Sequence, residues 1–186
     1  MLHIPNLLLI GGNAHNVGKT TLAIKIIGKL AKHNDVIGVK VTTFKPSKES
    51  CHGSHDILIS SNSDITEELG SDSQKDTARM LMAGASRSFY ITASDALQSE
   101  SIQDILTRIN LNQPIICESR SLRNFVKPGL FVMMLRQMIE AKPKDVTKFV
   151  ILADKIFDHN QDAFLIDQFV DKLDFRKGEF VSQYWD

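Results

Sequence analysis

One short stretch of this sequence constrains the fold more than any other, because it joins a strand signal, a turn and a helix signal. Residues 7–30 read LLLIGGNAHNVGKTTLAIKIIGKL. The first four are apolar, as in a buried strand, and the segment after Thr20 has apolar residues at helical spacing. A strand, a glycine-containing turn with Gly-Lys-Thr and a helix, in this order, are typical of a phosphate-binding loop.

The turn has the chemistry that nucleotide phosphates require. Backbone N–H groups of the loop and of the first helical turn can converge on phosphate oxygens, assisted by the positive end of the helix dipole. Gly18 allows close approach, and we expect Lys19 to reach the β- and γ-phosphates. We expect the Thr20 hydroxyl to bind Mg²⁺ and Thr21 to meet the α-phosphate. The predicted nucleotide contacts in this loop are Gly12, Asn13, Asn16, Val17, Gly18, Lys19, Thr20 and Thr21.

The spacing of the turn departs from the common pattern. That pattern has a glycine where this chain has Asn13, and Gly12 stands one residue earlier. Asparagine tolerates left-handed backbone geometry, so Asn13 can replace the glycine. Alternatively, the loop is one residue longer and begins at Gly12. A chance glycine turn before a lysine-bearing helix is a third interpretation, which the strand before the turn argues against.

Length and composition predict one domain over residues 1–186. Lys plus Arg and Asp plus Glu both count 22, so we expect neither nucleic acid nor an anionic membrane as the main partner. The two cysteines are too few for a disulfide framework and fit a reducing compartment. Without a membrane-spanning run or a signal-like start, the sequence favours a cytoplasmic protein.

Apolar strand patterns alternate with helical patterns along the chain. This predicts an α/β fold, with a mostly parallel sheet in a three-layer α/β/α arrangement. Residues 42–74 lack sustained periodicity and predict a long, mobile loop with a short strand at 57–59. After the first strand, the predicted strands are 36–41, 88–92, 114–117, 130–134, 149–152 and an edge strand at 180–181. The predicted helices are 18–33, 75–84, 101–109 with Ser101 as N-cap, 136–141 and 161–173.

Charged residues follow several predicted strands, at the edge where parallel α/β sheets bind ligands. Lys40 there either contacts a triphosphate or an anionic second substrate, or reaches water. Lys19 and Glu118 are the predicted catalytic residues. Glu118 would hold Mg²⁺ or polarise a nucleophile, with a turn or cap role as the alternative. Asp154 competes for the same role, or is a plain N-cap.

Two further segments carry candidate residues. At the start of the helix predicted at 75–84, Asp76 suits the first turn, and Arg79 either points to the nucleotide or pairs with an acid. Cysteine and histidine at short spacing can bind zinc, but a structural site needs four ligands. We therefore favour a loop near the nucleotide over a metal site for Cys51, His52 and His55.

These residues make the chain resemble MobB, the molybdopterin-guanine dinucleotide biosynthesis protein B family. The resemblance implies the P-loop nucleoside triphosphate hydrolase fold and a cytoplasmic, often dimeric GTP-binding protein with weak hydrolysis. It also implies an adaptor role toward the enzyme that attaches guanine nucleotide to molybdopterin. Ser119 stands where the family has a glycine, and no histidine closely follows Lys40. The motifs are Gly18-Lys19-Thr20-Thr21-Leu22, Val39-Lys40, Lys75-Asp76-Thr77-Ala78-Arg79 with Ala83-Gly84-Ala85, and Cys117-Glu118-Ser119.

Three functional hypotheses follow. The first is Mg²⁺-dependent binding and slow hydrolysis of GTP, as in MobB. The second is an ATP-dependent ligase or kinase of a small anionic metabolite, because the long loop and Lys40 are also similar to dethiobiotin synthetase. The third is a binding module for a protein partner, gated by nucleotide through the 42–74 segment.

Overall fold

The computed structural model describes residues 1–43, 63–70, 73–136 and 146–182. Short 3₁₀ turns at Asp95–Leu97 and Ser121–Asn124 accompany the regular elements. The strands are β1 (Leu2–Gly12), β2 (Ile37–Thr43), β3 (Asp64–Glu67), β4 (Arg87–Ala93), β5 (Ile115–Glu118), β6 (Val126–Leu135), β7 (Lys155–Asp158), β8 (Leu173–Arg176) and β9 (Glu179–Ser182). The helices are α1 (Lys19–Leu30), α2 (Asp76–Met82), α3 (Gln98–Thr107), α4 (Thr147–Ile151) and α5 (Ala163–Lys172).

Seven of these strands form one sheet in the order β3-β4-β2-β5-β1-β6-β7. All neighbours pair in parallel except β3 and β4, which are antiparallel. The other two strands, β8 and β9, form a separate antiparallel pair. The α/β prediction with a mostly parallel sheet is therefore confirmed.

The central strand β1 is apolar on both faces, and each face packs against helices. Leu8 and Ile10 belong to one hydrophobic cluster with residues of α1 and α5. Leu7 and Leu9 belong to a second cluster with residues of α3 and α4. All four leucine and isoleucine side chains are fully buried. Such two-sided burial is typical of parallel sheets and is compatible with a three-layer α/β/α arrangement.

The register of the central strands brings two candidate residues, Lys40 and Glu118, to the carboxyl end of β1. In the β1–β5 pair, Ile10 lies opposite Glu118, and in the β2–β5 pair, Lys40 lies opposite Glu118. Lys40 and Glu118 are therefore neighbours beside the end of β1. The loop that follows Gly12 starts two residues beyond this level, so the predicted meeting of these residues at one edge of the sheet is confirmed.

The strand predicted at 149–152 is wrong. This segment falls largely in α4, where Phe149 is buried while Ile151 and Leu152 are exposed. A short apolar run does not distinguish a strand from a helix, and here the helix is formed. The neighbouring strand is β7, which begins after Asp154.

Asp154 therefore precedes a strand, and its predicted place beside the glycine-containing turn is also wrong. Its carboxylate accepts a hydrogen bond from the Phe131 N–H at 2.7 Å. It lines a cavity with His3 and Pro5, two residues near the start of β1. The Asp154 carboxylate, which lies just before the first residue of β7, Lys155, thus accepts from a β6 N–H group.

Smaller differences concern the ends of elements. Ser101 lies inside α3, where its hydroxyl donates to the Leu97 carbonyl, so it is not the N-cap. The residues of the predicted edge strand, Phe180 and Val181, pair with β8 instead of the main sheet. The antiparallel strand β3 falls within the segment predicted as a loop. The strand predicted at 57–59 and residues 137–141 of the helix predicted at 136–141 lie outside the described residues. In the described ranges, no helix has the length and apolar character to span a membrane.

Candidate functional site

The turn between β1 and α1 contains two residues in the left-handed region. Asn16 has a φ of 54° and Gly18 a φ of 81°. Asn13 is not among the described residues with positive φ, so it does not replace a glycine in that role. Its side chain instead exchanges hydrogen bonds with the backbone of Arg136, accepting from N–H at 3.1 Å and donating to the carbonyl at 2.9 Å. Asn13 thereby ties the start of the turn to the end of β6.

Gly12 is required where it stands. A Cβ atom there would lie 2.8 Å from the Val17 side chain, 2.9 Å from the Lys19 side chain and 3.1 Å from the Met134 carbonyl oxygen. Val17 is itself fully buried, so it cannot give way into solvent. The tight turn thus begins at Gly12, which supports the longer loop among the alternatives that the sequence left open.

The Lys19 side chain folds back across the turn. Its ammonium donates to the Ala14 carbonyl at 2.8 Å, and no carboxylate within the described ranges forms an ion pair with it. Burial lowers the pKa of Lys19 below the ordinary lysine value, Glu118 partly opposes this, and the charges of Lys40 and Arg120 add to the lowering. The cation is therefore held in the turn without a neutralising partner.

Glu118 is the centre of the site. It is only 3% exposed, and its two carboxylate oxygens have different partners. The Thr20 hydroxyl donates to Oε2 at 2.7 Å, and the Lys40 ammonium donates to Oε1 at 2.6 Å. Burial alone would lower the pKa of Lys40, but Glu118 and Asp76 outweigh burial and raise it. The buried carboxylate is thus balanced by a charged amine and a hydroxyl.

The first turn of α2 extends this set of charges. Asp76 lies 3.0 Å from the Lys40 ammonium and 3.6 Å from the Arg79 guanidinium. The sequence left open whether Arg79 points to the nucleotide or pairs with an acid, and it does pair with Asp76. Asp76 itself was predicted only as a helix-start acid, because nothing in the sequence places α2 beside β2.

These residues surround a cavity of about 380 Å³ at the start of α1. Two predicted contacts, Gly12 and Asn13, line an adjoining groove instead. His159 was not predicted, because it follows β7, whereas the apolar pattern predicted the strand at 149–152. Its Nδ1 would lie 2.7 Å from a Cβ atom at Gly18, so the ring packs closely against the turn. The cavity is lined by His15, Asn16, Val17, Gly18, Lys19, Thr20, Thr21, Lys40, Asp76, Arg79, Glu118 and His159.

Arg120 is a second residue that sequence reasoning missed. Its guanidinium donates to the Gly12 carbonyl at 3.1 Å and lies 5.4 Å from the ring centre of Phe149. Burial lowers the pKa of Arg120 below its usual range. The sequence could have indicated Arg120, because it stands two residues after Glu118, and residues just beyond a parallel strand lie at the ligand-binding edge of the sheet.

Cys117 does not contribute to this site. The Cys117 thiol is fully buried in β5, and burial raises its pKa, so it is not a nucleophile. Cys51, His52 and His55 lie outside the described residues. Within the described ranges, no three side chains of His, Cys, Asp or Glu are grouped so that they could hold a metal ion by themselves.

The arrangement combines a helix start, an unneutralised lysine and a hydroxyl–carboxylate pair around one open cavity. Backbone N–H groups and lysine favour an anion, while hydroxyl and carboxylate oxygens are ligands that Mg²⁺ prefers. The site can therefore take an anion together with a hard divalent cation. Comparison of this chain with protein-family models, with curated proteins and with solved structures found no match.

Proposed function

We propose that this chain is a P-loop protein that binds a Mg²⁺–nucleoside triphosphate and hydrolyses it slowly. The observation that carries the proposal is the 2.7 Å hydrogen bond from the Thr20 hydroxyl to Glu118, beside Lys19 and the start of α1. In such sites the hydroxyl binds Mg²⁺, an acid at the end of a neighbouring strand supports the metal, and the lysine meets the phosphates. Here these three groups meet at one cavity.

The charges in the cavity support a polyphosphate ligand. Lys40 and Arg79 are paired with the carboxylates of Glu118 and Asp76, whereas Lys19, among the residues that the structure describes, is held by a backbone carbonyl alone. Lys19 can therefore turn to a phosphate without giving up an ion pair. The N–H groups at the start of α1, a helix of 12 residues, add a fixed positive end to the site.

The residues fit a bound Mg²⁺. Thr20 and Glu118 would hold it, and the remaining ligands would come from phosphate oxygens and water, as is usual for this ion. When bound, Mg²⁺ would neutralise part of the negative charge on the phosphates. The other phosphate contacts would come from Lys40 and Arg79.

Slow hydrolysis agrees with the state of Glu118. Both of its oxygens already accept hydrogen bonds, so it is not a free base for an attacking water. Phosphoryl transfer needs little covalent chemistry from the protein, and positioning and charge neutralisation supply most of the rate. This site provides those two effects through Lys19, Thr20 and the loop.

GTP is the proposed nucleotide, and an adaptor role in molybdenum cofactor biosynthesis the proposed context. Both rest on the resemblance to MobB, which is carried by the Lys75-Asp76-Thr77-Ala78-Arg79 motif and by Lys40. The structure adds one supporting fact, since Asp76 and Arg79 of that motif line the cavity with Lys40. From the same resemblance, we also propose that the protein is a cytoplasmic homodimer.

An ATP-dependent ligase or kinase of a small anionic metabolite is the second candidate. The observation that favours it is a groove of about 800 Å³ that shares Lys19, Lys40 and Glu118 with the smaller cavity. Such a groove has room for a second ligand beside the phosphates.

The proposal is tested by identifying the nucleotide that purifies with the protein, by mass spectrometry after denaturation, and by measuring turnover of GTP and ATP. Guanine nucleotide with slow GTP turnover supports the first candidate. Bound adenine nucleotide, with ATP turnover that a carboxylate or amine stimulates, supports the second. Failure of both nucleotides to bind, with or without Mg²⁺, would remove the proposal.

A further inference from the structure

The groove beside the glycine-containing turn carries two cations on a single aromatic ring. The Arg120 guanidinium lies 5.4 Å and the Lys148 ammonium 4.9 Å from the ring centre of Phe149. Among the described residues, neither cation lies within ion-pair distance of a carboxylate. Phe149 is buried, and its ring orients both charges at the wall of the groove.

The opposite part of the groove is lined by hydroxyl groups in a hydrogen-bonded chain. Thr43 Oγ1 lies 2.8 Å from Ser121 Oγ, which lies 3.2 Å from Ser119 Oγ. The buried Gln98 side chain donates its amide N–H to Thr43 Oγ1 at 2.8 Å. Thr43 ends β2, Ser119 directly follows β5, and Ser121 begins the 3₁₀ turn Ser121–Asn124.

Gln98 determines which hydroxyl donates and which accepts in this series of hydrogen bonds. Its Nε2 also lies 3.1 Å from Asp95 Oδ1, an acceptor, so the amide nitrogen and not the oxygen must face Thr43. Thr43 accepts from Gln98 and is therefore free to donate to Ser121. Ser121 in turn has its own proton to donate onward, either to Ser119 or into the groove.

We propose that this groove binds a small anionic ligand, through carboxylate or phosphate oxygens, beside the nucleotide site. Arg120 and Lys148 supply the charge, and the Ser121 hydroxyl, which has a proton to donate into the groove, supplies a neutral donor. Two acids line the groove, and both have partners: Asp95 accepts from Gln98, and Glu118 accepts from Thr20 and Lys40. The inference deepens the proposed function, because the ligand would lie next to the phosphates of the nucleotide.

The groove opens onto the nucleotide cavity through shared lining residues. Lys19, Lys40 and Glu118 line both spaces. Arg120 also donates to the carbonyl of Gly12, the first residue of the tight turn. A ligand held by Arg120 would therefore be adjacent to the turn, on the side of β5 and β2, whereas His159 lines the nucleotide cavity.

The experiment is calorimetric titration of succinate and, separately, inorganic phosphate into the full chain saturated with a Mg²⁺ complex of a non-hydrolysable triphosphate. We expect at least one anion to bind, and Arg120→Gln or Lys148→Gln to weaken it about tenfold each. Lys148 is exposed, so Lys148→Gln tests the groove without risk to folding. Lys127→Gln, an exposed lysine at the other end of the sheet, is the matched control and should bind like wild type.

The outcomes separate this inference from the proposed function. If neither anion binds the nucleotide-loaded protein, or if the two groove variants bind as wild type does, the groove is not an anion site. If Arg120→Gln weakens the triphosphate as much as the anion, Arg120 belongs to the nucleotide site and the inference is overturned. If no nucleotide binds at all, the same titration into nucleotide-free wild type, Arg120→Gln and Lys148→Gln still tests the groove.

Discussion

The Thr20 hydroxyl and the Glu118 carboxylate meet at 2.7 Å, although 98 residues separate them in the sequence. The contact exists because β1 and β5 are parallel neighbours, which brings the residues after both strands to the same edge of the sheet. The following predictions test whether this contact, and the turn around it, form a nucleotide site.

Gly12→Ala should distort the turn. The added Cβ would lie within 2.9 Å of Val17 and Lys19, so we expect a loss of about 1–2 kcal/mol in unfolding free energy and strongly weakened nucleotide binding. Gly28→Ala is the matched control, because its Cβ would meet only the Ala83 carbonyl, at 3.6 Å. In helix α1 this change should stabilise the protein by about 0.5–1 kcal/mol. Urea unfolding and nucleotide titration of both variants give the comparison; equal behaviour of the two would contradict it.

Glu118→Gln should uncouple nucleotide binding from Mg²⁺. The amide retains an oxygen that can accept from Thr20 but removes the charge that a metal needs. We expect Mg²⁺–nucleotide affinity to fall about tenfold, while affinity for nucleotide in EDTA stays the same or rises. A fluorescent nucleotide titrated with and without Mg²⁺ measures both.

Glu100→Gln, an exposed position on α3, is the control for this measurement. It should leave the Mg²⁺ dependence intact. An unchanged Mg²⁺ dependence in Glu118→Gln would show that Glu118 does not support the metal.

The two lysines of the site should affect stability in opposite directions. Lys40→Met leaves the buried Glu118 without its cation, and we expect a loss of about 2 kcal/mol. Lys19 has no carboxylate partner in the described part of the chain, and burial lowers its pKa, so Lys19→Met should unfold at a higher urea concentration than wild type. Urea unfolding at pH 7 measures both differences. A stability loss in Lys19→Met would contradict the interpretation.

The pH dependence of these two differences follows from the pKa directions. The pKa of Lys40 is raised by folding, so its stabilisation is complete below about pH 10.4, the ordinary lysine value, and is lost only above the folded value. The cost of Lys40→Met should thus be constant from about pH 7 to pH 9.5. The pKa of Lys19 is lowered, so the penalty for its charge fades as the pH rises through the folded value. The advantage of Lys19→Met should therefore shrink toward high pH.

Asp154 should matter for stability and not for nucleotide binding. Its carboxylate accepts the Phe131 N–H, so Asp154→Ala should cost about 1 kcal/mol. Asp154→Asn keeps an acceptor and should cost less. Nucleotide affinity should be unchanged in both, since Asp154 lines a different cavity from the residues of the turn. A tenfold loss of nucleotide affinity in either variant would contradict this and would support the prediction from the sequence, in which Asp154 competes with Glu118 for the role at the metal or nucleophile.

What could be predicted from the sequence depends on what parallel strands impose. Lys40 and Glu118 end apolar runs, and the parallel arrangement alone brings them beside the residues after β1. The helix start at Lys19 and the strand before Gly12 are likewise local patterns. These features could therefore be found without knowing the order of the strands.

Other parts of the site depend on contacts that no local pattern specifies. Asp76 reaches Lys40 only because α2 packs beside β2 after a long intervening segment. Arg120 lies between β5 and the 3₁₀ turn Ser121–Asn124, and its side chain reaches back to the Gly12 carbonyl. His159 could not be placed, because an apolar run of four residues was interpreted as the strand instead of α4, which moved the following residues out of register.

The most direct test of the account is calorimetric titration of Mg²⁺–GTP and Mg²⁺–ATP into wild type and Lys19→Met. We predict that wild type binds at least one of the two, with GTP preferred, and that Lys19→Met, while fully folded, binds it at least about tenfold more weakly. Equal binding of the nucleotides by both proteins, or no binding by wild type, would contradict the account.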